Sequence, residues 1–168
     1  MTLLLSKLFR YTTGRKTNDY FDTIDNELEM VETYLQVEKV RFGSRLRFTV
    51  EVINDELRNL QVPKFILQPI VENAIKHGIS KMADQGVIVV KIYEEGSWLH
   101  LCVHDNGPAF PETMGAGYGI RSIQDKLKLL YGDDAKLELH NDPQKSVNIA
   151  IQKSAVQHQQ DSKHAVPS

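Results

Sequence analysis

Val62-Pro63-Lys64-Phe65-Ile66-Leu67-Gln68-Pro69-Ile70-Val71-Glu72-Asn73-Ala74-Ile75-Lys76-His77-Gly78 is the stretch around which the rest of the chain is read. Its pattern predicts a helix over residues 64–77. At about 100° per residue, Leu67, Ile70, Val71, Ala74 and Ile75 fall on one side, and Gln68, Glu72, Asn73 and Lys76 on the other, with His77 at the boundary. Pro69 has no amide donor, so the regular helix is expected to begin near it. Most amphipathic helices are plain surface helices, and that reading stands beside a sharper one. An asparagine and a glutamate occupy the centre of the polar side, with lysine and histidine three and four residues after the asparagine. An amide oxygen suits a hard cation such as Mg²⁺, which keeps waters and phosphate oxygens as its other ligands. A lysine one turn on can neutralise phosphate charge.

Strand patterns lie on both sides of this helix. Leu46, Phe48, Val50 and Val52 alternate as in a half-buried strand. Residues 87–94 and 98–104 read as two strands around the Glu95-Gly96 turn, and Leu137 and Leu139, then Val147, Ile149 and Ile151, as a second hairpin around Asp142-Pro143. Between the hairpins, residues 119–131 read as a helix stopped by Gly132. Strands that arrive as hairpins with helices between them imply an α+β fold. The expected form is a two-layer α/β sandwich, its mostly antiparallel mixed sheet covered by helices on one face.

Two further segments carry chemistry. In the strand from Trp98, period-two alternation puts Asp105 on the same side as Leu99, Leu101 and Val103, where the strand ends. A carboxylate at the edge of the core needs a donor, and the amino group of a purine would serve. Asn106-Gly107-Pro108 follows, and the bare backbone at Gly107 would admit a flat ring. An ordinary Asp-Asn-Gly turn is the plain alternative. Next comes Gly115-Ala116-Gly117-Tyr118-Gly119-Ile120. Glycines directly before a helix leave amides free for phosphate, and the helix N-terminus adds partial positive charge. The stretch fits neither the dinucleotide fingerprint, which needs a βαβ unit, nor a P-loop, which needs Gly-Lys-Ser/Thr. A flexible linker is the alternative.

The remainder bounds these readings. Charged residues are 25% of the 168, with a net charge of −2, so nothing in the total points to nucleic acid or an anionic membrane. Cys102 is the single cysteine, which excludes an internal disulfide. No apolar run approaches the roughly 20 residues that span a bilayer. Residues 1–43 read as helical with a break at 12–15, and Ile24, Leu28, Val31, Leu35 and Phe42 share one face of the second part. That part is either a stalk or dimer element, or a helix packed on its own domain. Residues 44–153 form the folded domain, and 154–168, rich in Gln, His, Ser, Lys and Asp, read as a disordered tail. His100 and His104 share a strand face and are read as structural or solvent-exposed; His158 and His164 fall in the tail.

In this order, the three segments resemble the ATP-binding domain shared by histidine kinases, gyrase, the ATP-dependent heat-shock chaperones and the mismatch-repair ATPases. More narrowly, residues 67–78 resemble the N box of LytS-type sensor kinases, Asp105-Asn106-Gly107 the first glycine box, and residues 115–120 with Lys126-Leu127 and Leu130-Tyr131-Gly132 the second. Residues 27–43 are similar to the segment joining that family's dimerisation helices to its catalytic domain. The resemblance implies that Asn73 holds Mg²⁺ against the ATP phosphates, beside Glu72 as a second catalytic residue. It implies that Asp105 accepts from the adenine amino group, with Gly107 making room. Gly115, Gly117 and Gly119 would form a lid, Tyr118 would be a further nucleotide-binding residue, and Lys76 and His77 would lie near phosphates or ribose. Ala109 stands where the family's first glycine box has a second glycine. The implied acceptor histidine sits on a helix outside this chain, the implied partner is a response regulator, and a homodimer is possible. The parent would be a membrane sensor and this piece its cytoplasmic catalytic end. Two alternatives remain: a related ATPase that drives a conformational switch, or a degenerate interaction domain.

Overall fold

A computed structural model describes residues 20–111 and 118–158. The sheet follows the alternation in the sequence. Strands β2 (Leu46–Val52), β4 (Gly86–Glu95), β5 (Trp98–Asp105), β6 (Ala135–His140) and β7 (Ser146–Gln152) form one five-stranded sheet in the order β2-β4-β5-β7-β6. Only β2 and β4 run parallel; every other neighbouring pair is antiparallel. A parallel pair cannot be closed by a hairpin and needs a crossover. Here the crossover carries β3 (Leu60–Pro63) and helix α2 (Gln68–Asn73). Helices α1 (Ile24–Phe42), α2 and α3 (Tyr118–Tyr131) supply the second layer. The expected sandwich is the one observed. Both hairpin and helix stops fall where read, with Gly96 at φ +61° and Gly132 at φ +59°. An L side chain rarely adopts such a φ.

The core lies between the layers. Ile88, Val90 and Ile92 of β4, Leu99, Leu101 and Val103 of β5, and Val147, Ile149 and Ile151 of β7 meet Ile70, Val71, Ile123 and Leu127 from the helices. Helix α1 belongs to the same core, through fully buried Ile24, Leu28, Val31 and Leu35. Of the two readings of this helix, packing on its own domain is the one the structure shows. Thr23 caps it, accepting from the Asn26 amide at 3.2 Å. Residues 1–19, where the earlier helical pattern falls, lie outside the described residues.

Three features depart from the expectation. Residues 64–67 are not helical. Phe65 there takes φ +61°, and the helix starts at Gln68 with Pro69 in its first turn. After Asn73 the helix widens into a π turn over Ala74–Gly78, an irregularity that clusters at functional sites. A second, three-stranded sheet, β1 (Phe21–Thr23), β3 and β8 (Gln157–His158), was not foreseen. Residues 154–158 therefore continue the fold rather than starting a tail; 159–168 lie outside the described residues. Among the described residues, no helix is long and apolar enough to cross a membrane.

Candidate nucleotide-binding site

A cavity of about 260 Å³ opens between α2 and the ends of β5 and β7. Its apolar wall comes from Ile70, Ala74, Val103, Ile120 and Val147; its polar groups are Asn73, His77, Lys81, Asp105 and Lys145. Three of the candidate site residues, Asn73, His77 and Asp105, line it, and Gly119 stands beside Asn73. Asn73 and His77 reach the cavity from the polar side of α2 and its π turn. Gly119, in the first turn of α3, sits so close to α2 that a β-carbon there would lie 3.4 Å from Asn73 Nδ2 and 3.3 Å from the Pro69 Cβ. The start of α3, with its partial positive charge, is thereby held against the asparagine.

Asp105 is the anchor of the site. Its Oδ1 accepts from the Gly107 amide at 2.8 Å and from Lys145 Nζ at 2.9 Å. The two charged side chains are 6% and 9% exposed. Lys145 precedes β7, and one further step along the β5–β7 register, which ends at His104 opposite Ser146, sets it opposite Asp105. Its ammonium also sits 4.7 Å from the Phe110 ring centroid. Phe110 is held in turn by Asn141, which accepts from its amide at 2.8 Å and donates to its carbonyl at 3.1 Å. Nothing local in the sequence marks Lys145, because the pairing that places it joins strands some forty residues apart. The β7 register was the only signal that could have found it.

Gly107 has a different neighbour from the one expected. A β-carbon there would lie 2.6 Å from the Gly78 Cα and 2.8 Å from Asp105 Oδ1. The bare backbone admits the end of the π turn, not an incoming ring, and Gly107 does not line the cavity. Gly107→Ala therefore must push one backbone off another, at a cost of about 1–3 kcal/mol. We expect a matching fall in thermal stability and a weaker nucleotide titration; unchanged values in both would show that the contact yields freely.

Glu72 and Lys76 are exposed and stand outside the cavity. Glu72 accepts from Gln68 Nε2 at 3.1 Å, and Lys81 rather than Lys76 lines the cavity. Gly115 and Gly117 lie outside the described residues, and Tyr118 is the first residue of α3. Ala109 lines the cavity without a left-handed φ; Phe65 is the one non-glycine residue with positive φ among those described. On the sheet's other face, His100 stacks on Tyr93 at 4.7 Å, and His104 Nε2 lies 3.3 Å from the buried Cys102 thiol, whose pKa burial pushes up. Among the described residues, no group of three or more His, Cys, Asp or Glu could hold a metal. An Mg²⁺ ion here would need phosphate oxygens to complete its ligands.

A junction behind the site also went unforeseen. Glu27 of α1 is buried. It accepts from the Phe65 amide at 3.1 Å through Oε2, and from the Ile66 and Leu67 amides at 2.9 and 3.5 Å through Oε1. Lys126 of α3 donates to the Lys64 carbonyl at 3.0 Å, so the three helices converge on the segment that leads into α2.

The family model described as Histidine kinase matches residues 1–46. Sensor histidine kinase BtsS of Escherichia coli (strain K12) is 38% identical over 148 residues, which is 88% of this chain and 26% of that protein. The chain thus spans about a quarter of the length of this curated relative. The histidine kinase domain of the Erythrobacter litoralis EL346 blue-light activated histidine kinase superposes with a TM-score of 0.62 at 20% identity, covering 90% of this chain and 72% of that one. Histidine kinase ThkA, in a complex with the response regulator protein TrrA, gives 0.58 at 15% identity, covering 92% and 47%. The curated relatives of this chain are thus sensor histidine kinases, and its described residues carry the fold of a histidine kinase catalytic domain.

Proposed function

We propose that the cavity binds ATP with Mg²⁺, and that the chain acts as the catalytic part of a sensor histidine kinase, passing the γ-phosphoryl group to a histidine on a helix outside this chain. The observation that carries this reading is Asp105. A buried carboxylate with a fixed Oδ1 forms the polar floor of an otherwise apolar slot, across which Asn73 and the start of α3 supply an amide oxygen and amide donors. The slot suits a flat base, and the far side suits phosphates. When bound, Mg²⁺ neutralises the charge that develops on the transferring phosphoryl group. Asn73 would hold it, and His77 and Lys81 would stand near the polyphosphate or ribose. Phosphoryl transfer depends on positioning and charge neutralisation more than on covalent chemistry by the protein. This cradle provides both. Onward transfer to a response regulator is the expected fate of the phosphoryl group; ThkA, whose fold this chain shares, is seen with such a partner. Helix α1 would connect the domain to dimerisation helices, the parent protein would be a membrane sensor, and this part would face the cytoplasm.

The test uses γ-labelled ATP, Mg²⁺ and an acceptor helix from a related sensor kinase. Acid-labile label on the acceptor histidine supports the proposal; release of free phosphate alone would favour an ATP-driven switch instead. Asn73→Ala separates the metal from the base. In the wild type Mg²⁺ should strengthen ATP binding, whereas in the variant that gain should disappear, with transfer lowered at least about tenfold. A variant that keeps the full Mg²⁺ effect would remove Asn73 from the role.

A further inference from the structure

We propose that Lys145 is a specificity-determining residue that reads ring nitrogen N1 of adenine, next to the amino group read by Asp105. The inference rests on the ATP-binding reading above and adds a residue to it. Both side chains line the one cavity, both are nearly inaccessible, and their charged ends are 2.9 Å apart. Among the described residues, both hydrogen bonds to the Asp105 carboxylate fall on Oδ1, from the Gly107 amide and from Lys145. That leaves Oδ2 as an acceptor for a ligand. An ammonium has three N–H donors. Lys145 directs one to Asp105 and lays its charge against the Phe110 ring, which leaves a donor over.

The floor of the cavity is therefore an acceptor beside a donor, framed by Val103, Ile70, Ala74 and Val147. Adenine offers the complement along one edge: an exocyclic amino group that donates and a neighbouring ring nitrogen that accepts. A 6-oxopurine in the same position turns both groups around. Its carbonyl would face the carboxylate and its N1–H would face the ammonium, leaving two buried polar groups opposed by their own kind, a mismatch worth far more than a lost apolar contact. Because Lys145 is already placed by Asp105 and Phe110, little ordering is needed when the base arrives.

The experiment titrates the full 168-residue chain, in Mg²⁺, with ATP, with 1-deaza-ATP (N1 replaced by C–H) and with inosine triphosphate (a carbonyl at C6). The series is repeated with Lys145→Met after circular dichroism shows the variant folded. A hydrogen bond from a charged donor implies that 1-deaza-ATP binds the wild type about tenfold or more weakly than ATP. Inosine triphosphate should be weaker still. In Lys145→Met the difference between ATP and 1-deaza-ATP should vanish. Equal binding of ATP and 1-deaza-ATP by the wild type overturns the proposal and leaves the ATP site standing, as does inosine triphosphate binding as well as ATP. A variant that weakens ATP and 1-deaza-ATP by the same factor overturns it too, since Lys145 would then serve only to balance the charge of Asp105. Should the variant fail to fold, the wild-type series decides by itself. If no nucleotide binds the wild type, this proposal and the ATP reading fall together.

Discussion

Asp105→Ala should abolish measurable ATP binding and, in the same protein without nucleotide, lower the free energy of unfolding by about 3–5 kcal/mol. The second effect separates this residue from an ordinary ligand contact. Truncating Asp105 removes the partner of a lysine that is 9% exposed and strands that ammonium among apolar side chains. It also removes the acceptor of the Gly107 amide. The double variant Asp105→Ala/Lys145→Met should recover part of the stability, because it deletes the stranded charge, but none of the ATP binding. Urea unfolding of the three proteins, with an ATP titration of each, checks this. Full stability in the single variant would mean that water reaches the pair freely.

The second large effect is expected at Glu27, which touches no part of the cavity. Glu27→Ala leaves three consecutive amides, those of Phe65, Ile66 and Leu67, without their acceptor in a buried place. One of them belongs to a phenylalanine held at φ +61°, a conformation that persists only when its surroundings enforce it. A loss of roughly 3 kcal/mol is expected, with ATP affinity reduced as the start of α2 relaxes. Burial, the largest influence, holds the Glu27 carboxyl above its ordinary value of 4.5, against the opposing pull of the three amides. The sign follows from that. The folded protein keeps this proton longer than the unfolded chain, so the group's contribution is complete below pH 4.5 and declines as pH rises through the folded value. Glu27→Gln should remove that decline from the pH profile of urea unfolding. An identical profile in the variant would place the titration elsewhere.

What was legible in the sequence follows the range of the interactions involved. Period-two runs marked every strand of the large sheet, and the positions of Leu99, Leu101 and Val103 were enough to point Asp105 inward. The polar side of residues 68–77 picked out Asn73 and His77 for the same reason: a helix or strand reveals its faces locally. Lys145 and Glu27 escaped because each acquires its role from a partner about forty residues away. Gly107 was correctly singled out as needing no side chain, but its neighbour, Gly78, belongs to a different element. The same limit applies to β8, whose two residues pair with Leu60 and Gln61 across most of the chain. Residues 64–67 were read as helix because their apolar spacing is helical, yet a buried carboxylate from α1 takes the amides that a helix would have used.

The place of α1 sets a lower bound on the autonomous unit. Its four fully buried residues are neighbours of the sheet in the same apolar cluster, and its carboxylate caps the approach to α2. A fragment trimmed at Gly43, the domain boundary expected from the sequence, would carry an uncovered apolar surface and three amides without their acceptor. It would aggregate or melt before its catalysis could be judged. The smallest portion that can be expressed and assayed as a well-behaved protein begins ahead of α1, at about Tyr20.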